Sequence, residues 1–154
     1  MYEGKTIGAV IPAYNEAPFI GDVVETLPEF VDRAYVIDDA STDDTWEELQ
    51  RAAEAVNDEW DAEEAVPIAE AEPEDERASP QTASDGGVDF DRQVVPIQHE
   101  ENRGVGGAIK TGYQHALDDG VDVTAVIAGD GQTEPDIVER IITPVVAGDA
   151  EYAK

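Results

Sequence analysis

Two clusters of oxygen-bearing side chains and one glycine-rich stretch are where this sequence could do chemistry. The segment VIDDAS sets Asp38 and Asp39 side by side just past an apolar run. Adjacent carboxylates in that position can bind a metal ion, accept hydrogen bonds from a base or a sugar, or begin a turn. The segment VIAGDGQTEP carries Asp130 and Gln132. Side chains two residues apart in an extended loop point the same way. A carboxylate with an amide oxygen is a hard ligand set, suited to Mg²⁺ or Mn²⁺ bound mainly through a diphosphate. The competing reading is a turn in which Asp130 is only a local acceptor. Gly129 and Gly131 flank it and allow close backbone approach.

The third stretch, GVGGAIKT from Gly104 to Thr111, differs from a phosphate-binding P-loop by one residue. That loop requires a glycine immediately before the lysine, and Ile109 stands there. Ile109 continues an apolar stripe, so a helix has already begun by Gly106 or Gly107. The dinucleotide fingerprint fails too, because Gly104-x-Gly106-x-x-Ile109 lacks its third glycine and follows the third strand instead of the first. The histidines are His99 and His115. His115 falls on the polar side of a helical pattern. His99 ends a strand near the other candidates, with no partner visible in the sequence for acid–base work.

These residues need elements to position them. Thr6 to Ile11 reads as a buried strand, followed by Phe19, Ile20, Val23, Val24 and Leu27 at helical spacing. RAYVIDD is a second strand. Ser41 and Asp44 resemble a capping box for a helix carrying Trp46, Leu49, Ala53 and Val56 inward. From Asn57 to Arg92 the periodicity dissolves into an acidic, proline-containing stretch, expected to be a mobile surface insertion (residues 57–92), with Trp60 and Phe90 as its aromatics. QVVPIQH is a third strand. A helix with Val105, Ala108, Ile109, Gly112, Tyr113, Ala116 and Leu117 on one face follows. VTAVIA is a fourth strand, Thr133 and Asp136 suggest the cap of a last helix interrupted by Pro144, and EYAK looks like the opening of a fifth strand. Strand and helix alternate throughout, which predicts βαβ units and a parallel sheet with helices on both faces. Ligands in such sheets sit beyond the carboxyl ends of the strands, where every candidate above falls.

Composition narrows the partners. Nine Lys and Arg oppose 37 Asp and Glu in 154 residues, a formal charge of −28. Such a chain repels nucleic acid and anionic lipid at long range. Adaptation to a salty cytoplasm, where dense salt screens the self-repulsion, explains the acidity. Without cysteine there are no disulfides or thiolate metal sites. No stretch reaches the length of a membrane span and MYEGKTIGAV carries no signal-peptide pattern, so a cytoplasmic chain is expected.

Taken in order, VIPAYNEAPFIGDVV, YVIDDASTDDT, HEENRGVGGAIKTGY and GDGQTEPDIVERII resemble the family 2 glycosyltransferases of the GT-A fold, close to the dolichyl-phosphate mannose synthase-like enzymes. The resemblance implies a three-layer α/β/α sandwich with a mostly parallel sheet. It implies nucleotide-sugar contacts by Pro12, Ala13, Tyr14, Asn15 and Glu16 in the first loop, and by Ile37 and Asp39 at the second strand end, Asp39 accepting a base N–H. Asn102, Gly104 and Lys110 match the helix start lining the nucleotide, so the glycines there permit close packing without wrapping phosphates. Ala128, Gly129 and Asp130 match the fourth strand end. Asp130 and Gln132 match the last two positions of the family's Asp-x-Asp-x-Gln metal pattern, and Ala128 replaces its first aspartate.

The implied activity is inverting, Mg²⁺- or Mn²⁺-assisted transfer of a sugar from a UDP- or GDP-sugar to an acceptor, which can be a glycan or a polyprenyl or dolichyl phosphate at the cytoplasmic face of a membrane. The family's domain continues into an acceptor-binding half bearing the catalytic base, so residues 1–154 are expected to be the donor half, with the base beyond Lys154. An unpaired sheet edge would then favour self-association. The rival is a nucleotide-sugar-binding module without catalysis, which Ala128 favours. A phosphorylated receiver domain using Asp38 and Asp39 is disfavoured, because receivers carry their acidic pair after the first strand.

Overall fold

The computed structural model describes residues 1–64, 90, 93–131 and 133–153. Four strands form one parallel sheet: β1 (Ile7–Ala13), β2 (Arg33–Asp38), β3 (Val94–Gln98) and β4 (Val123–Val126). Helices α1 (Ala17–Glu25), α2 (Thr45–Glu64) and α3 (Gly104–Asp118) lie between successive strands, and α4 (Pro135–Val146) follows the last. The spatial order is β3-β2-β1-β4, all pairs parallel. Growth runs from β1 through β2 to β3, then returns to the far side of β1 for β4. The order therefore reverses between β1 and β4, the switch point at which open α/β sheets open a crevice for ligand.

The apolar pattern follows from this placement. β1 and β2 are covered on both faces, so they read as continuous apolar runs. Alternate residues of β1 separate cleanly. Ile7, Ala9, Ile11 and Ala13 join a core with Ile20, Val23 and Val24 of α1, Leu49, Ala52 and Ala53 of α2, and Val138 and Ile142 of α4. Val10, with Tyr35 and Ile37 of β2, meets Ala108 and Ala116 of α3 on the opposite face. Helices thus flank both faces, α1, α2 and α4 on one and α3 on the other, as expected.

α3 sits very close to the sheet. A Cβ added at Gly112 would lie 2.4 Å from Val10 Cγ1, so only glycine fits there. This corrects the expected helix face. The buried line is Ala108, Gly112 and Ala116, while Val105 and Leu117 are 66% and 79% exposed. Small residues at spacing four bring the backbone to the sheet and leave the larger side chains outside the contact.

Other details also differ from expectation. α2 continues through Glu64, past Asn57 where the insertion was expected to start. Asn57 donates its Nδ2 to Val94 O at 2.9 Å and accepts Val94 N–H at 2.8 Å, supplying β3's outer edge with the bonds a further strand would give. Phe90 is buried with the Arg33 guanidinium 4.9 Å over its ring, so it belongs to the core. The remainder of that stretch, residues 65–89, 91 and 92, lies outside the described residues. Asp43, not Ser41, opens α2, its Oδ1 accepting Thr45 N–H at 3.0 Å. At α4 the N-cap is Glu134 and no side chain caps it; Thr133 instead accepts Ala128 N–H at 3.3 Å. Pro144 is accommodated within α4, which ends two residues later. Residues 151–153 pair with no strand among the described residues.

Candidate functional site

The carboxyl ends of β1, β2 and β3 are joined by a dense set of hydrogen bonds. The loop after β1 turns at Asn15, whose φ of 53° lies in the left-handed region that Asn tolerates better than most residues. Asn15 Oδ1 accepts from Thr42 N at 2.8 Å, and Asn15 N donates to Ser41 Oγ at 2.9 Å. Glu16 N donates to Thr45 Oγ1 at 2.9 Å. The first loop is therefore pinned to the loop after β2, with Tyr14 half-exposed at the rim.

The two aspartates part company, because successive residues leaving a strand point to opposite sides. Asp38 is fully buried and takes Gln98 Nε2 on Oδ2 at 3.2 Å and Ser41 N on Oδ1 at 3.3 Å. Those bonds tie down the sheet end and the turn. Asp39 turns toward β3 and α3. Its N–H donates to Ala13 O at 2.9 Å, and its Oδ1 accepts Arg103 N–H at 2.8 Å and lies 2.8 Å from His99 Nδ1. Asn102 Nδ2 donates to Asp39 O at 3.3 Å and Asn102 Oδ1 accepts Gly104 N–H at 3.1 Å. Burial pushes the Asp39 carboxyl up, yet bonds from Arg103 N–H, His99 and Gly104 N–H outweigh it and hold the group below the ordinary aspartate range. Asp39 is thus a buried, firmly ionised acceptor. Ala40 follows with φ of 58°, a conformation costing an alanine about 1–2 kcal/mol. The bonds of Asp39 and Ser41 on either side of it hold that turn.

His99 is the residue that sequence reasoning missed. It is buried, and its other ring nitrogen, Nε2, lies 2.8 Å from Thr111 Oγ1. The signal was available only through register: Asp38 pairs with Gln98, so Asp39 and His99 leave neighbouring strands together.

The β4 side is built differently. Gly129 sits where a Cβ would be 2.8 Å from Pro12 O, and Gly131 has φ of 75°. Both glycines are needed to bring this loop against the end of β1. Asp130 is half-buried near Glu16. Burial, then the charges of Asp130 and Asp43, raise the Glu16 carboxyl above the ordinary glutamate range. Negative charge is therefore concentrated where β1 and β4 end. Gln132 lies outside the described residues. Among the described residues no three His, Cys, Asp or Glu side chains form a ready metal cage. Beside Asp130, between α1 and α4, is a cleft of ≈ 250 Å³ lined by Phe19, Val23, Leu27, Ala128 and Val138 among others. Neither Asp39 nor His99 lines it.

The structure thus gathers Ala13, Asn15, Glu16, Asp39, Asn102, Gly104, Gly129 and Asp130 at one end of the sheet. Pro12 joins through its carbonyl contact with Gly129. The Ile37 side chain packs into the core beneath α3. Lys110 is exposed six residues into α3, about 9 Å along the axis from its start, and takes no part in the Asp39 bonds.

A doubly wound parallel sheet with carboxylates just past the ends of β2 and β4 is the architecture of the GT-A class. Glucosyl-3-phosphoglycerate synthase of Mycobacterium tuberculosis aligns with a TM-score of 0.57 at 19% identity, covering 95% of this chain and 42% of that one. The same enzyme solved with Mn²⁺, UDP-glucose and phosphoglyceric acid aligns at 0.56 and 18% identity, over 95% and 41%. Residues 9–63 match the Glycosyl transferase family 2 model, and the fold is GT-A-like. The UDP-N-acetylglucosamine–dolichyl-phosphate N-acetylglucosaminyltransferase of Methanococcus voltae is 31% identical over 149 residues, 96% of this chain and 50% of the relative. A Methanocaldococcus jannaschii protein is 28% identical over 141 residues, 91% of this chain and 42% of its own length. The chain spans about half the length of the curated relatives it matches. No helix among the described residues is long and apolar enough to cross a membrane.

Proposed function

We propose that residues 1–154 form the donor-binding part of a glycosyltransferase that moves a sugar from a nucleoside diphosphate sugar to an acceptor with inversion. The observation that carries this reading is Asp39, a buried carboxylate kept ionised just past the end of β2 by His99 and two backbone N–H groups. It is suited to accept a nucleobase N–H. The nucleotide runs from Asp39 along Asn102 and Gly104 toward the first loop, Pro12 to Glu16, with Ile37 contributing backbone only and Lys110 reaching in from α3. The diphosphate then meets Ala128, Gly129 and Asp130.

The raised Glu16 carboxyl marks a field that a divalent cation would satisfy, and carboxylate oxygen suits Mg²⁺ or Mn²⁺. Asp130, with Gln132 as the expected second ligand, would hold it, the diphosphate completing the shell. When bound, the ion supplies charge neutralisation to the departing diphosphate. Ala128 offers no carboxylate, and its N–H is occupied by Thr133. Metal dependence is therefore weaker than a two-aspartate site would give. The acceptor base lies outside the residues assigned here.

The likeness to the M. voltae enzyme supports a lipid phosphate acceptor and a place at the cytoplasmic face of a membrane. The outer edge of β4, unpaired among the described residues, beside a groove of ≈ 580 Å³ lined by Tyr113, Val126, Ile141 and Tyr152, supports self-association once salt screens the charge. A second reading, a nucleotide-sugar-binding module that catalyses nothing, is favoured by Ala128. Calorimetry with UDP and GDP at high KCl, with Mn²⁺ and then with EDTA, tests the donor site. Metal-enhanced binding of a nucleotide is expected, and a folded chain that binds neither nucleotide overturns the proposal. Product formation from a nucleotide sugar separates enzyme from module.

A further inference from the structure

The buried Asp39–His99–Thr111 chain has a consequence for which base the site accepts. A carboxylate only accepts, so the His99 Nδ1 that lies 2.8 Å from Asp39 Oδ1 must carry hydrogen and donate it. Arg103 N–H donates to the same oxygen at 2.8 Å. On the far side of the ring, Thr111 Oγ1 is 2.8 Å from Nε2 and 3.1 Å from Gly107 O. The imidazole is therefore fixed at both ends, by Asp39 on β2 and by α3, and His99 has only 7% of its surface exposed. Two protein donors already fill Oδ1, and Gly104 N–H is a third donor to the carboxylate.

From this we infer that His99 is a specificity-determining positioning residue: by occupying Asp39 Oδ1 it confines the base to Oδ2, which selects uracil over guanine. The inference rests on the reading of Asp39 as the base acceptor. Uracil presents a single donor, N3–H, between two carbonyl oxygens, and one carboxylate oxygen satisfies it. Guanine presents N1–H and the 2-amino group side by side, a pair that engages both oxygens of one carboxylate. With Oδ1 filled, the second guanine donor enters the site unpaired, and an unsatisfied buried donor is costly. Thr111 keeps the ring from swinging off Oδ1, so it acts on the base through His99.

The test is calorimetric binding of UDP and GDP to the full chain in Mn²⁺ and high KCl, with circular dichroism melts to confirm folding. Wild type should bind UDP at least about tenfold more tightly than GDP, the range set by one unsatisfied donor. His99→Leu should bring the UDP:GDP ratio toward one. His99→Asn, which returns an N–H near the Nδ1 position, should restore most of the ratio. Thr111→Val should lower it about threefold while leaving the Asp39 bond possible, and it decides the matter if His99→Leu does not fold. A wild type that prefers GDP overturns the inference. So does a folded Leu or Val variant with an unchanged ratio. Asp39→Asn separates the two levels: if it abolishes binding while the His99 and Thr111 variants keep the ratio, only this inference fails. If Asp39→Asn binds UDP normally, the base-acceptor reading fails and the inference with it.

Discussion

The two halves of the candidate site solve opposite problems. At the ends of β2 and β3, Asp39 is buried but over-supplied with donors, so its charge is settled within the protein. At the ends of β1 and β4, Glu16 and Asp130 are less buried, yet burial, then the charges of Asp130 and Asp43, raise Glu16. The first half is preorganised, so in the proposed reading a base would meet an acceptor already in place. The second gathers like charges that, in the same reading, a cation and a diphosphate would engage together. In a donor site of this design, the base side supplies selectivity and the phosphate side supplies dependence on metal.

The comparison breaks most visibly at Asp39. Replacing Asp39 with Ala leaves His99 and the Arg103 N–H without their acceptor in a buried setting, and should cost about 2–4 kcal/mol of stability. Urea unfolding checks this. Nucleotide affinity should fall beyond calorimetric detection in the same variant. Equal stability of Asp39→Ala and wild type would show that this half is not preorganised by these bonds. A purely steric control is Gly112→Ala, whose new Cβ would meet Val10 at 2.4 Å. Overpacking of that kind costs about 1–3 kcal/mol, and a thermal melt would show it without changing the UDP:GDP ratio.

The contrast also explains what was legible in the sequence. Continuous apolar runs marked β1 and β2 because central parallel strands are covered on both faces, and Leu49 and Ala53 at helical spacing marked α2. Asp39, Asp130 and the β-strand ends that carry them were visible because the alternation of elements implied a switch point. The bond between His99 and Asp39 was not, since it depends on β2 lying beside β3, and register is a property of the folded sheet. The cap of α2 was missed because Ser41, Thr42, Asp43 and Asp44 are all competent, and only the position of Asn15 across the loop diverts Ser41 to another bond. Asn57 read as the start of a polar stretch, whereas its amide closes the edge of β3. The charged side chains after it hid the continuing helix because all but Trp60 are polar from Asn57 to Asp61.

On the metal side the expected effects are smaller for the fold and confined to ligand. Asp130→Asn should cost less than about 1 kcal/mol in stability, as usual for a partly exposed charge, while removing most of the Mn²⁺ enhancement of nucleotide binding. The same change removes one of the two charges that raise Glu16, so the Glu16 carboxyl should titrate lower, which NMR would detect. A Glu16 carboxyl that does not move in Asp130→Asn would mean that burial and Asp43 set it without Asp130, and the link between Glu16 and a metal at Asp130 would lose its support.

The smallest effect is in pH dependence, where the two halves should differ in sign. Asp39 is lowered in the folded protein, so its contribution to stability is present above the ordinary aspartate pKa and lost as pH falls through the lower, folded value. Glu16 is raised, so its contribution is present below the ordinary glutamate pKa and lost as pH rises through the higher, folded value. Compared with wild type, Glu16→Gln should therefore gain relative stability on going from acid toward neutral pH, and Asp39→Asn should lose it. Denaturant midpoints for the three proteins at matched high salt, taken between pH 3 and pH 7 as a range bracketing both ordinary values, measure the two slopes. Parallel slopes for the two variants would mean that the strand ends share one electrostatic environment, and that a single ligand group, not a base side and a metal side, governs the site.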